Sequence, residues 1–316
     1  MVSRRKFLTG AAAAGAASAG LALAGPLAPR AYAAKVDGRL IVDSQNHIWL
    51  PNTPDRPWIS ADAKAQMPDA FTLERLLPII DGAGVDRVVL VTPSWAGAKY
   101  GNAYLADAAK TYPNRFGVIG IGISLDNPQQ EQQVLTWRDQ PGFLGIRVAM
   151  TRASLTDKSA DWFWSAAEKA AIPLCFLASG LNSRVGNIAE RFPGLILIVD
   201  HMGVSEGFQK ASPNWRDEIK VVAGLAKYPN VSVKLSSIPF YSSEPYPWRD
   251  TFPFVEMCYD AFGPLRCHWG TDQTHTFEKA TYSQRITQFT EEMPFLSESD
   301  KDWIMGRSLL ARLRWA

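Results

Sequence analysis

The chain has 316 residues, with 33 Lys and Arg against 31 Asp and Glu and 47% hydrophobic side chains. That length and ordinary composition are ample for one large core, and they exclude a disordered or low-complexity protein. A formal charge of +2 offers no basic excess of the kind a nucleic-acid partner requires.

The first 33 residues read as a targeting segment. Ser3-Arg4-Arg5-Lys6-Phe7-Leu8 precedes an Ala/Gly-rich run from Gly10 to Ala24, and Ala31-Tyr32-Ala33 offers a small-x-small cleavage site. This is the pattern of a twin-arginine export signal, which predicts a periplasmic or secreted protein. The apolar run is shorter than the roughly 20 residues that span a bilayer, so no stable membrane anchor is expected. Cleavage after Ala33 removes Arg4, Arg5, Lys6 and Arg30 and no acid, which takes the formal charge from +2 to −2. Residues 34–316 then form a single domain, without a low-complexity linker or repeat. Its three cysteines, Cys175, Cys258 and Cys267, are odd in number and unlike zinc ligands in spacing. They are expected to be buried free thiols.

Short apolar runs recur along the mature chain at Arg39–Asp43, Arg87–Thr92, Phe116–Gly122, Leu144–Ala149, Pro173–Leu177, Leu195–Asp200, Val231–Leu235 and Cys267–Thr271. Each has about the length of a buried strand, and most are bounded by Gly, Pro or Asp. Helical patterns separate them at Phe71–Gly82, Ala103–Thr111, Asp161–Ala170, Val185–Phe192, Trp215–Lys227, Phe252–Phe262 and Ser283–Met293, with a terminal helix at Ser297–Leu313. Eight strands alternating with helices predict an α/β fold, the closed (β/α)8 TIM barrel. The competing open doubly wound sheet lacks its usual Gly-rich phosphate loop after the first strand.

In such barrels the reactive groups gather at the carboxyl ends of the strands. There the chain carries Asp43, Gln45 and His47 after strand one, Arg147 on strand four, Asp200-His201-Met202-Gly203 after strand six, Lys234-Leu235-Ser236 on strand seven and Gly270-Thr271-Asp272 after strand eight. Strand alternation sends Gln45 and His47 to one face. Three of the four histidines, His47, His201 and His275, fall at or just past strand ends, which points to a shared site. The fourth, His268, lies inside the eighth strand and is expected to be a hydrogen-bonded core residue. Arg147 is either a substrate clamp or an interior ion pair with Asp43 or Asp200. Trp49, Trp58, Trp95, Tyr241 and Trp248 are candidates for an aromatic pocket wall, though a Trp-rich chain packs most of them in its core.

The ordered segments Val42-Asp43-Ser44-Gln45-Asn46-His47-Ile48-Trp49, Gly84-Val85-Asp86-Arg87-Val88-Val89-Leu90-Val91, Gly142-Phe143-Leu144-Gly145-Ile146-Arg147, Val199-Asp200-His201-Met202-Gly203, Val233-Lys234-Leu235-Ser236 and Trp269-Gly270-Thr271-Asp272 together resemble the amidohydrolase-related branch of the amidohydrolase superfamily, which includes lactonases. The resemblance implies a metal-dependent-hydrolase-like barrel. Its metal-binding members use His-x-His after strand one, a residue on strand four, histidines after strands five and six, and an aspartate after strand eight. By that correspondence His47, His201 and Asp272 are present, whereas Gln45 replaces the first histidine, Arg147 stands on strand four, and Pro173–Ser179 holds no histidine.

No metal cofactor is therefore expected, and a weak zinc site on His47, His201 and Asp272 is the residual possibility. The expected activity is hydrolysis of a small lactone or ester of a carboxylic acid. Asp272 takes a proton from water, His47, His201 and Gln45 polarise the carbonyl, and Arg147 and His275 bind substrate. Two other readings compete: a metal-dependent decarboxylase or hydratase of an aromatic acid, and a non-catalytic periplasmic binding barrel.

Overall fold

In the computed structural model eight parallel strands follow one another around a barrel in sequence order. They are β1 (Val42–Asn46), β2 (Arg87–Val91), β3 (Phe116–Gly120), β4 (Phe143–Val148), β5 (Pro173–Phe176), β6 (Ile196–Val199), β7 (Val231–Leu235) and β8 (Cys267–Trp269). The structure describes residues 38–59 and 70–316, so the export-signal reading of residues 1–33 lies outside the described residues. The expected (β/α)8 barrel is the fold observed. Each strand lies within a few residues of its predicted run. The largest shift is β1, which runs through Asp43-Ser44-Gln45-Asn46. A polar strand is tolerated there because its charged and amide side chains are bonded: Asp43 accepts hydrogen bonds from Thr271 N at 2.8 Å and from the Tyr282 hydroxyl at 2.5 Å, and Gln45 and Asn46 are paired as well. Thr271 N and Asp272 N, which donates to Gln45 O at 2.8 Å, stitch the end of β8 to β1.

Alternation along the strands divides the core in two. Val88 and Leu90 join the large cluster between sheet and helices, while Val89 and Val91 point into the barrel. The inner cluster continues through Val42, Ile119, Leu144, Cys175 and Ile198 and is closed by Leu309 and Leu313 of the terminal helix Ser308–Leu313. The terminal helical segment thus plugs the amino end of the barrel and leaves the carboxyl end for polar groups. Among the described residues, no helix is long and apolar enough to cross a membrane. The three cysteines are free and buried, as expected.

One irregularity prepares the site. Between β3 and β4, Val118 pairs with Phe143 but Ile119 pairs with Gly145, so Leu144 is an extra residue in a bulge. A bulge resets the alternation of a strand. Both Leu144 and, three residues on, Arg147 therefore face inward. Gly145 is required at this point, since a Cβ there would lie 2.4 Å from Pro173 O.

Candidate active site

The carboxyl ends of β6, β7 and β8 share an unusual backbone. His201, Met202, Ser237 and Asp272 all adopt left-handed conformations, with φ of 53°, 52°, 61° and 45°. Such conformations cost energy for residues with a Cβ and persist where surrounding contacts impose them. The Tyr241 hydroxyl supplies one such contact, lying 3.0 Å from His201 O and 2.7 Å from Val204 O. These turns aim His201, Ser237 and Asp272 into a cavity of about 200 Å³. His47, Trp95, Arg147, Glu206, Tyr241 and His275 also line it.

Asp272 is the centre of the arrangement. Its Oδ2 accepts from the Ser237 hydroxyl at 2.5 Å and lies 3.5 Å from His275 Nδ1 and 3.8 Å from His201 Nδ1. Its Oδ1 lies 3.3 Å from His47 Nε2 and accepts no hydrogen bond among the described residues. Burial alone would raise the Asp272 pKa, but His201 and His275 beside it outweigh burial and hold the carboxyl well below the usual range. The base is therefore ionised at neutral pH, with one oxygen fixed and the other available.

The histidines are oriented by their second nitrogens. His47 Nδ1 is 2.6 Å from Val91 O, a group that only accepts, so Nδ1 carries the proton. Its Nε2 lies 3.3 Å from Gln45 Nε2. The Gln45 amide must point that way, because its Oε1 is taken by the Lys234 ammonium at 2.7 Å, and an ammonium only donates. Gln45 and His47 do share a face, but Gln45 is fully buried beneath the pocket and its carboxamide is already committed. With Nε2 accepting from Gln45, His47 in this tautomer is an acceptor too. Neither Gln45 nor His47 is then set to donate to a substrate carbonyl, which departs from the roles expected of them.

His201 is the better donor. Its Nδ1 lies 2.9 Å from Ser236 Oγ and 3.1 Å from Ser237 Oγ, which leaves Nε2 for the pocket. Burial pushes its pKa down to about 4, so the ring is neutral at physiological pH. His275, expected in the shared site, lines the cavity. It stacks on Phe240 and lies 3.0 Å from Glu206 Oε2. Burial opposes its charge, yet Asp272 and Glu206 raise its pKa.

Of the two partners open to Arg147, the structure selects Asp200, with Nε 3.4 Å from Oδ2, and its side chain stays 24% exposed to the cavity. Asp200 Oδ1 lies 2.9 Å from Lys234 Nζ. Burial would raise the Asp200 pKa, but Lys234, Arg147 and His201 hold it below the usual value. Sequence reasoning placed Lys234 at the site without giving it a role; a lysine inside the apolar run Val-Ser-Val-Lys-Leu is the signal that a buried partner exists. Glu206 went unnoticed, and nothing in a helix's first turn distinguishes it. Of the aromatic candidates, Trp95 and Tyr241 line the cavity, while Trp49 and Trp248 are core residues.

His268 behaves as the core residue expected. Its Nδ1 is 2.8 Å from Ser308 Oγ, and burial holds its pKa well below 6.5. His201 and His268 are neutral when folded, whereas an exposed histidine in the unfolded chain protonates near 6.5. The unfolded state thus binds more protons between about pH 6.5 and 4, and stability falls as pH drops through that window, by at most about 1.4 kcal/mol per pH unit for each histidine. Melting temperature measured against pH should show this slope, and His268→Gln should remove about half of the histidine contribution.

Among the described residues, no group of three or more His, Cys, Asp or Glu side chains is arranged to hold a metal ion. His47 faces Asp272 Oδ1 while His201 lies on the Oδ2 side, and the Lys234 ammonium already holds the Gln45 oxygen. The triad His47, His201 and Asp272 is thus gathered in one place without forming a metal cage.

Fold and site together define an enzyme of the (β/α)8 class, with its reactive groups at the carboxyl ends of the strands. Residues 42–307 match the model of the family described as Amidohydrolase, and the chain belongs to that family. It is similar to an L-fucono-1,5-lactonase of Burkholderia multivorans, 24% identical over 277 residues that cover 78% of this chain and 86% of the relative. Its fold is shared with an amidohydrolase from Burkholderia multivorans solved with bound zinc (21% identity, TM-score 0.71, covering 88% of this chain and 100% of that one). It is shared too with a probable 2-pyrone-4,6-dicarboxylic acid hydrolase from Acinetobacter baumannii solved with citric acid (17% identity, TM-score 0.68, covering 87% and 99%). The expected amidohydrolase-family enzyme is therefore confirmed.

Proposed function

We propose that the protein hydrolyses a small lactone or ester of a carboxylic acid, without a metal ion, using water activated by Asp272. The observation that carries this reading is an ionised carboxylate with Oδ2 fixed by Ser237 and Oδ1 free of any donor, inside a cavity of about 200 Å³ that also holds Arg147. The similarity to an L-fucono-1,5-lactonase supports the lactone class.

In this mechanism Asp272 Oδ1 takes a proton from water as the water oxygen bonds to the lactone carbonyl carbon. Ser236 donates to His201 Nδ1, so His201 Nε2–H meets the developing oxyanion. When the ring C–O bond breaks, Asp272 returns its proton to the departing oxygen, and a hydroxy acid leaves. General-base catalysis of this kind contributes about 10²–10⁴-fold, and an aimed donor a comparable amount, which suits an ester carbonyl better than an amide. Gln45 and His47 act from below, holding the floor against which Asp272 sits. Arg147 binds a substrate carboxylate. The Arg4-Arg5 segment supports export by the twin-arginine route to the periplasm or beyond.

A test is to assay purified protein against neutral sugar lactones, carboxylated lactones and aryl esters, before and after dialysis against a chelator. Ring opening that survives chelation is the expected result. Activity lost on chelation and restored by zinc would overturn the metal-free part, and absence of turnover on every compound would favour a binding barrel.

A further inference from the structure

Two separations at the pocket floor match those between neighbouring ligands of one metal ion, although the charge beside them does not suit one. Gln45 Nε2 and His47 Nε2 are 3.3 Å apart, and so are His47 Nε2 and Asp272 Oδ1. Two ligands of one tetrahedral zinc, each about 2.0–2.1 Å from it, stand about 3.3–3.4 Å apart. What distinguishes this site is the fully buried ammonium of Lys234, which donates to Gln45 Oε1 at 2.7 Å and forms an ion pair with Asp200 Oδ1 at 2.9 Å.

We propose that Lys234 is a resident cation that takes the place of a metal ion: its ammonium positions both halves of the site and prevents a divalent ion from binding there. One arm runs from Lys234 through Gln45 to His47. By holding Oε1, the ammonium turns the Gln45 amide toward His47 Nε2, occupying the lone pair a metal would use. The other arm runs through Asp200 to Arg147, fixing the guanidinium that reaches the cavity. A dication entering among Gln45, His47 and Asp272 would meet the Lys234 charge at short range inside a low-dielectric barrel. Lys234 is a positioning residue, since it lies below the cavity and touches no substrate. This inference rests on the metal-free reading given above, and its test separates the two.

Zinc binding is measured by calorimetry and elemental analysis on the full chain for four proteins: wild type, Gln45→His, Lys234→Met and the double variant Gln45→His/Lys234→Met. Wild type and Gln45→His should bind zinc weakly, because the ammonium remains in both. The double variant should bind at least about 100-fold tighter, because it gains a ligand and loses the opposing charge. A Gln45→His protein that binds as tightly as the double variant overturns the proposal, and so does a folded double variant that gains no affinity.

Removing Lys234 leaves Asp200 facing Arg147, so the carboxylate is not stranded. If the methionine variant nevertheless fails to fold, Lys234→Gln in the Gln45→His background carries the same prediction with a neutral hydrogen-bonding side chain. Stoichiometric zinc in active wild-type protein, with activity lost on chelation, would sink the metal-free reading itself. A metal-free active wild type with no gain in the double variant would sink only the role of Lys234.

Discussion

Replacing Asp272 with Asn should lower kcat by about 10³–10⁴-fold while KM moves by no more than about threefold. Asn keeps an oxygen to accept the Ser237 hydroxyl, so the left-handed turn at φ 45° and the shape of the cavity persist. It cannot take a proton from water. The size of the loss follows from a buried carboxylate held ionised well below its usual range by His201 and His275 against the effect of burial. That environment also sets the pH profile. With the Asp272 carboxyl held well below its usual range and His201 neutral above about pH 4, kcat/KM should show no acid limb near the ordinary histidine value of about 6.5. Steady-state kinetics from pH 3.5 to 9, with a melting curve to establish folding, checks both points. An Asn variant that turns over at the original rate would remove Asp272 from the mechanism.

The barrel was legible because its signals are local. Runs such as Val231–Leu235 are apolar, short and bounded, and they occupy the strand positions expected of them. Strand ends mark the site in any barrel of this kind, so His47, His201, Arg147 and Asp272 could be named from position alone. What sequence could not carry was direction. Gln45 and His47 sit on one face as alternation requires, but whether that face opens to the cavity depends on a lysine 189 positions away. Arg147 reaches the interior only because the bulge at Leu144 resets the alternation of β4. The left-handed turns at His201, Ser237 and Asp272 have no glycine to announce them, since tertiary contacts impose them.

Polar groups in the cavity wall divide between two tendencies. Arg147 is the lysine- or arginine-type cation in the lining, and Asp200 already neutralises part of it. Glu206, whose pKa is lowered first by Lys210 and then by His275, contributes a second carboxylate beside Asp272. Such a wall suits a substrate with one carboxylate or none, and it opposes a second carboxylate placed near Glu206.

Arg147→Met should therefore discriminate between substrate types. Against a lactone bearing one carboxylate, kcat/KM should fall by about 10²–10³-fold, mostly through KM, because a charge-assisted, two-point contact to the substrate is lost. Against a neutral sugar lactone the fall should stay within about tenfold. The fold survives the change, since Asp200 keeps the Lys234 ammonium 2.9 Å away. Arg147→Lys should give an intermediate loss on the carboxylated lactone: it restores the charge but not the planar fork, and its shorter reach must still serve Asp200. Kinetics with the matched pair of lactones decides the matter. Equal losses on both would show that Arg147 acts only through Asp200, as an interior ion pair, and that the substrate carboxylate is held elsewhere or is absent. A loss confined to the carboxylated lactone assigns the open side of the guanidinium to a substrate carboxylate.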